Sequence, residues 1–225
     1  GDGNLDLILT SLRDTRNFIF LNNGQGKFTE SLNIGWVYDH RGGSVSSTAA
    51  DVDGDGDLDL YVTGFKKHFL NRELGPKEMT RIEMLGLAAR QSNQEMPAEW
   101  LKYFSFRRNL VAPGKITLEA YPHHLPDQLY LNDGRGNFRP VTDAEGRFRD
   151  HQGRIIPMPR DPSHEAAFRD VDGDGDPDLY VCADFDWADR FWMNDGRGNF
   201  TLVNPLALRR TSQFSMGVDF TDLNR

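Results

Sequence analysis

Asp51-Val52-Asp53-Gly54-Asp55-Gly56-Asp57-Leu58-Asp59 returns 119 residues later as Asp170-Val171-Asp172-Gly173-Asp174-Gly175-Asp176-Pro177-Asp178. Each copy sets five carboxylates into nine residues. Like charges at that density repel, so a folded chain carries them either splayed into water or gathered around a cation. Aspartates at positions 1, 3, 5 and 9, with glycines at 4 and 6, let the backbone turn sharply. The oxygens then converge on one point. Hard oxygen donors in that number suit Ca²⁺, which takes about six to eight of them, better than Mg²⁺ or a softer metal.

The loop is not an EF-hand, which needs a glutamate at position 12 and flanking helices. Position 12 is Val62 in one copy and Val181 in the other. The runs Leu58–Thr63 and Pro177–Cys182 alternate and are rich in β-branched and aromatic residues, so they read as strands. The ninth-position aspartate stands at the start of its strand and can turn back toward the ion. Pro177 is tolerated because a first strand residue can lack its N–H.

A second signature follows: Phe20-Leu21-Asn22-Asn23-Gly24-Gln25-Gly26-Lys27-Phe28, then Tyr130-Leu131-Asn132-Asp133-Gly134-Arg135-Gly136-Asn137-Phe138, then Trp192-Met193-Asn194-Asp195-Gly196-Arg197-Gly198-Asn199-Phe200. Its glycine-bearing centre is a tight hairpin turn between two strands. Gly1-Asp2-Gly3-Asn4-Leu5-Asp6 matches the second half of the acidic loop, and Asp222-Leu223-Asn224-Arg225 matches a first half.

These marks define a repeat. Asp2 to Asp55 spans 53 residues and Asp170 to Asp222 spans 52, but Asp55 to Asp174 spans 119. From the ninth-position aspartate to the residue before the hairpin asparagine is 15 residues in the outer repeats (Asp6 to Leu21, Asp178 to Met193). It is 72 in the middle one (Asp59 to Leu131). About 57 residues are therefore inserted after the first predicted strand, at 65–125. A smaller excess of about nine lies near 146–162.

The insertion differs in character. Met79, Ile82, Leu85 and Ala89 have near-helical spacing between Pro76 and Arg90. Pro97 suits a first helical position, with Trp100, Leu101 and Phe104 following on one face. Two short amphipathic helices are predicted. Residues 65–125 hold ten Lys or Arg and six Glu, about +4, in a chain whose net charge is −8. The insertion reads as a helical cap over its acidic neighbours and as a docking surface for a partner, two compatible roles.

The whole chain has 225 residues, 38% of them hydrophobic and 27% charged, enough apolar material for a core. There is no apolar run long enough for a membrane span. The acidic balance disfavours nucleic acid, whose phosphates call for a basic face. Cys182 is the single cysteine, so no intrachain disulfide is possible, and its strand context reads as a small buried hydrophobe. His40, His123, His124 and His164 accompany no nucleophile elbow, phosphate loop or zinc-type spacing.

The motif Asp-x-Asp-Gly-Asp-Gly-Asp-x-Asp-Leu-Tyr-Val, followed by the Asn-x-Gly-x-Gly-x-Phe turn, resembles the FG-GAP/VCBS repeat. It is most similar to the version in ASPIC/UnbV and cartilage-acidic-protein-like secreted proteins, and related loops occur on integrin α-chain propellers. The resemblance covers the chain outside the insertion and the segment near 146–162. It implies an all-β fold of four-stranded β-propeller blades, with the calcium loop linking the outer strand of one blade to the inner strand of the next. The implied ligands are the side chains of Asp51, Asp53, Asp55 and Asp59 with the Asp57 carbonyl. The second set is Asp170, Asp172, Asp174 and Asp178 with the Asp176 carbonyl. Asp2, Asn4 and Asp6 would belong to a third site, and Asp222 and Asn224 to a fourth. About three blades cannot close a ring of four to eight, so the expectation is a partial propeller over 1–225 whose remaining blades lie elsewhere.

The function expected is a non-enzymatic, calcium-binding interaction module, extracellular, periplasmic or at the cell surface. It would bind protein or glycan through the propeller face and the insertion. The alternatives are an accessory subunit of a larger extracellular assembly, docked through 65–125, and a fragment of a carbohydrate-active enzyme such as a polysaccharide lyase.

Overall fold

The computed structural model describes residues 2–11, 16–32, 43–65, 104–112, 115–122, 124–184, 187–208 and 214–224. In chain order the strands are β1 (Leu7–Leu9), β2 (Phe18–Asn22), β3 (Phe28–Glu30), β4 (Ser44–Ala50), β5 (Asp59–Gly64), β6 (Phe104–Ala112), β7 (Lys115–Pro122), β8 (Gln128–Asn132), β9 (Phe138–Pro140), β10 (Phe148–Arg149), β11 (Ser163–Arg169), β12 (Asp178–Ala183), β13 (Arg190–Asn194) and β14 (Phe200–Leu202). They form three blades, ordered β1-β2-β3, β4-β5-β8-β9 and β11-β12-β13-β14, the last extended by β10. All pairs within the blades are antiparallel except β10 with β14, which is parallel. The all-β propeller expectation holds. Among the described residues the helical turns are short 3-10 segments at Asp143–Glu145 and Pro205–Leu208, and no helix is long and apolar enough to cross a membrane.

The period of two along each strand builds the core. β5 is buried on both faces. Leu60 and Val62 meet Ile19 of the first blade in one apolar seam, together with Tyr130. Tyr61, Leu129 and Leu131 point the other way and join Leu179, Val181, Trp192 and Phe200 of the third blade in a second seam. The second blade is thus a layer between two neighbours. The innermost strands β4 and β11 lie side by side. Cys182 is buried on β12, and burial pushes its thiol up to about 12. It is an inert packing residue at neutral pH.

The acidic loops do not link one blade to the next, as the resemblance implied. Ala50 pairs with Asp59, and Arg169 pairs with Asp178. Each loop therefore closes a hairpin between the first and second strands of its own blade. The inner strands were easy to miss. β4 reads Ser-Val-Ser-Ser-Thr-Ala-Ala, small residues without the aromatic and branched run that marks a strand by composition.

The insertion leaves the second blade between β5 and β8. Its described part is a β-hairpin, β6 with β7, in which Phe104 pairs with Pro122 and Leu110 with Ile116. The helix expected over 76–90, and that from Pro97 up to residue 103, fall outside the described residues. Phe104 is corrected from helix to strand. Phe104-Ser-Phe106 and Ile116-Thr-Leu118 alternate with period two, and Pro113-Gly114 stands between the two runs in the sequence. The short excess near 146–162 has a clear use: β10 caps the outer edge of the third blade. Phe200 N donates to Arg147 O at 2.7 Å, and the Phe148 ring stacks on Phe200 at 5.3 Å and meets Trp192 edge-on at 5.2 Å. An outer strand that would otherwise expose its hydrogen-bonding edge is covered.

Candidate metal centre

Each acidic loop is organised by its first aspartate. Asp51 accepts from Gly54 N and Gly56 N, both at 2.9 Å, one on each carboxylate oxygen. Asp170 does the same with Gly173 N at 2.8 Å and Gly175 N at 3.1 Å. The sixth-position glycines have φ of 93° and 98°, a left-handed backbone that L side chains rarely adopt.

The ninth aspartate ties the loop to the hairpin turn of its own blade. Asp59 is fully buried and accepts from Asn132 N at 2.9 Å and Val52 N at 3.1 Å. Asp178 accepts from Asn194 N at 2.9 Å and Val171 N at 3.1 Å. Asp6 accepts from Asn22 N at 2.8 Å. The asparagine side chains return the link, donating to Leu5 O, Leu58 O and Pro177 O. This explains why the loop and the Asn-x-Gly signature travel together in each repeat.

The seventh residue faces the turn and not the loop centre. A methyl group on Gly134 would run into the Asp57 carboxylate, one on Gly196 into Asp176, and one on Gly24 into Asn4. If Asp57 and Asp176 contribute to a cation, they do so through their carbonyls.

One carboxylate oxygen each from Asp51, Asp53 and Asp59, loop positions 1, 3 and 9, lies within 4.8 Å of the other two, and in the second loop Asp170, Asp172 and Asp174, positions 1, 3 and 5, converge as closely. Oxygens about 2.4 Å from a shared Ca²⁺ stand up to about 4.8 Å apart. Asp55 and Asp178 lie outside these tightest groups. Asp53 Oδ1 is buried and has no hydrogen-bond partner. Burial raises the Asp53 carboxyl above its usual range, and Asp55 and Asp51 add to this, while Arg147 opposes it. Burial pushes Asp59 up to about 6 and also raises Asp178. Crowded acceptors, one of them orphaned, in a setting that resists ionisation fit a hard cation. At the chain's two ends, Asn4 N donates to Asp2 at 3.0 Å and Asn224 N to Asp222 at 3.3 Å. Among the described residues, Asp2, Asp6 and Asp222 join no group of three converging His, Cys, Asp or Glu side chains.

A latch between blades lies outside both sequence motifs. Asp127 is fully buried at the start of β8. Its Oδ1 accepts from Gly64 N at 2.7 Å, and its Oδ2 from Tyr61 Oη at 2.7 Å and from Ser163 Oγ of the next blade at 3.0 Å. Asp189 repeats this with Ala183 N, Tyr180 Oη and Ser215 Oγ. Asn17 holds the same place in the first blade, its Oδ1 accepting from Ser11 N and its Nδ2 donating to Ser44 Oγ. The first blade has Ile8 where the others have tyrosine, and there the carboxylate is replaced by an amide. The signal was present as spacing. Asn17, Asp127 and Asp189 each stand five residues before the hairpin asparagine. Ser44, Ser163 and Ser215 each stand seven before the loop's first aspartate.

Of the histidines, His124 Nδ1 lies 3.2 Å from Phe65 O, and His164 Nε2 lies 3.1 Å from Asp184 Oδ2. Both rings pack on Phe65, beside the root of the insertion. His40 and His123 fall outside the described residues.

The family model described as the FG-GAP-like repeat matches residues 1–62 and 170–225, just over half of the chain. Among solved structures the chain is similar to one described as "Structural basis of specific recognition of non-reducing terminal N-acetylglucosamine by an Agrocybe aegerita lection". The identity is 16% and the TM-score 0.35, and the alignment covers 87% of this chain and 36% of that one. No curated protein matches the chain.

Proposed function

The chain belongs to the FG-GAP-like repeat family, and on that premise we propose that it is a non-enzymatic interaction module whose blades are stabilised by Ca²⁺. Repeats of this family form propeller blades, typically in extracellular domains. The observation that carries the cation is the convergence of Asp51, Asp53 and Asp59, and of Asp170, Asp172 and Asp174, with the orphaned Asp53 Oδ1 in the first group. The donor set is all hard oxygen, and the number of carboxylates in each loop suits Ca²⁺ better than Mg²⁺.

Asp51 and Asp170 fix the loop backbone, Asp53 and Asp172 supply oxygens, and Asp59 and Asp178 join the loop to the turn of the same blade. Asp55 and Asp174 add further oxygens. A bound ion would offset the mutual repulsion of these groups. The work is structural: the loops set blade geometry, and the insertion at 65–125 and the propeller face engage a protein or glycan partner outside the cytosol.

Thermal melting with Ca²⁺ and with excess chelator tests the cation. An ion held at a hundred times its dissociation constant adds about 2.7 kcal/mol per site, so chelation should lower the melting temperature by several degrees. Replacing Asp51, Asp53, Asp170 and Asp172 by asparagine should abolish the difference. An unchanged melting temperature in the unaltered chain overturns the structural role of calcium.

A further inference from the structure

The two acidic loops are equivalent in sequence but not in surroundings. Val52, in the first loop, is fully buried, while Val171, at the same position of the second, is 44% exposed. The difference is the third blade's hairpin turn, which packs on the first loop. Asn194 Nδ2 donates to Val52 O at 2.9 Å, and a methyl group on Gly198 would meet Arg147 Nη1 on one side and the Asp53 and Val52 side chains on the other. Arg147, from the segment leading into β10, is pinned there by hydrogen bonds to Arg197 O at 2.7 Å and Gly198 O at 3.3 Å, with Glu145 at 3.5 Å. Its side chain is mostly buried. At the second loop the largest charge influences on Asp176 and Asp178 come from neighbouring aspartates.

We propose that Arg147 is a resident counter-cation of the first loop: it sits beside Asp53, weakens divalent-ion binding there, and makes the contact between second and third blades less dependent on the ion than the second loop is. This rests on the calcium reading of the loops. The physics is direct. A fixed positive charge partly neutralises the empty loop and repels an arriving Ca²⁺, and its partly buried setting limits screening by salt.

The test is calcium calorimetry on chains that each retain one loop. With the second loop disabled by Asp172→Asn and Asp174→Asn, Arg147→Met should tighten Ca²⁺ binding by about three- to tenfold, the scale of one screened neighbouring charge. With the first loop disabled by Asp51→Asn and Asp53→Asn, Arg147→Met should leave affinity unchanged. Arg147→Lys keeps the charge and should bind like the unaltered chain. Binding at the first loop that is indifferent to Arg147→Met, that tightens equally at both loops, or that tightens as much with lysine overturns this inference and leaves the calcium reading standing. Absence of Ca²⁺ binding in every variant, the unaltered chain included, overturns both.

Discussion

Asp127 has no contact with solvent, and its carboxylate takes three donors, from Gly64, Tyr61 and Ser163. Burial is the larger influence and pushes it up to about 7, against the pull of those donors; Asp161 adds to the rise. Arg190, paired with Asp161, is a cation that interacts with this group. Because its pKa is higher folded than unfolded, the folded chain binds the extra proton. Stability is then fully present at acidic pH and is lost as pH rises through about 7. The loss from pH 5 to 8.5 should be about 3 kcal/mol. Asp127→Asn keeps an oxygen for Gly64 N, as Asn17 does for Ser11 N in the first blade, and cannot titrate. Urea unfolding of both chains across that range, in saturating Ca²⁺, should show a pH slope in the unaltered protein that the variant lacks. Equal slopes would place the ionisation elsewhere. Asn17 tolerates the amide because Ile8 removes the tyrosine hydroxyl that Asp127 and Asp189 must accept.

Hairpin turns are the element that the acidic loops need. Gly134 and Gly136 both have positive φ, 73° and 77°. A methyl group on Gly136 meets open space, whereas one on Gly134 strikes the Asp57 carboxylate. Either alanine should cost about 1–2 kcal/mol through backbone strain. Gly134→Ala alone should also weaken Ca²⁺ at the first loop, because Asp57 must move and carries the loop backbone with it. Calorimetry showing identical affinities for the two variants would refute that coupling. This element was legible in the residues: Asn-x-Gly-x-Gly announces its turn, and the Asp-Gly alternation announces its loop. The inner strands were not, because Ser, Thr and Ala pack closely at the blade's inner edge without the bulky pattern that signals a strand. Nor was the link from Asn194 to Val52 O, which joins residues 142 apart. The latch of Asx and Ser lay between the two. Its spacing is regular, but a single Asp or Ser has no motif to draw the eye, and its meaning depends on which blade stands next door.

At the scale of the whole molecule, the blades cohere through faces rather than through connections. Chain linkers pass between blades, yet the seam joining the second to the third is built from β5 and β8 on one side and β12 and β13 on the other. Val52 belongs to that seam although it lies in a loop, and Val171 occupies its repeat-equivalent position in solvent. The pair is therefore an internal control for what a neighbouring blade contributes, since local sequence and loop geometry are nearly the same. Val52→Ala removes two buried methyl groups from a packed junction and should cost about 2 kcal/mol. Val171→Ala should stay within about 0.5 kcal/mol. Urea denaturation of the two variants in saturating Ca²⁺ measures both, and the midpoint should move only for Val52→Ala. Equal costs would mean that the valine serves the loop itself, and the junction between blades would then have to be held by the Asp127 to Ser163 latch and the aromatic seam alone.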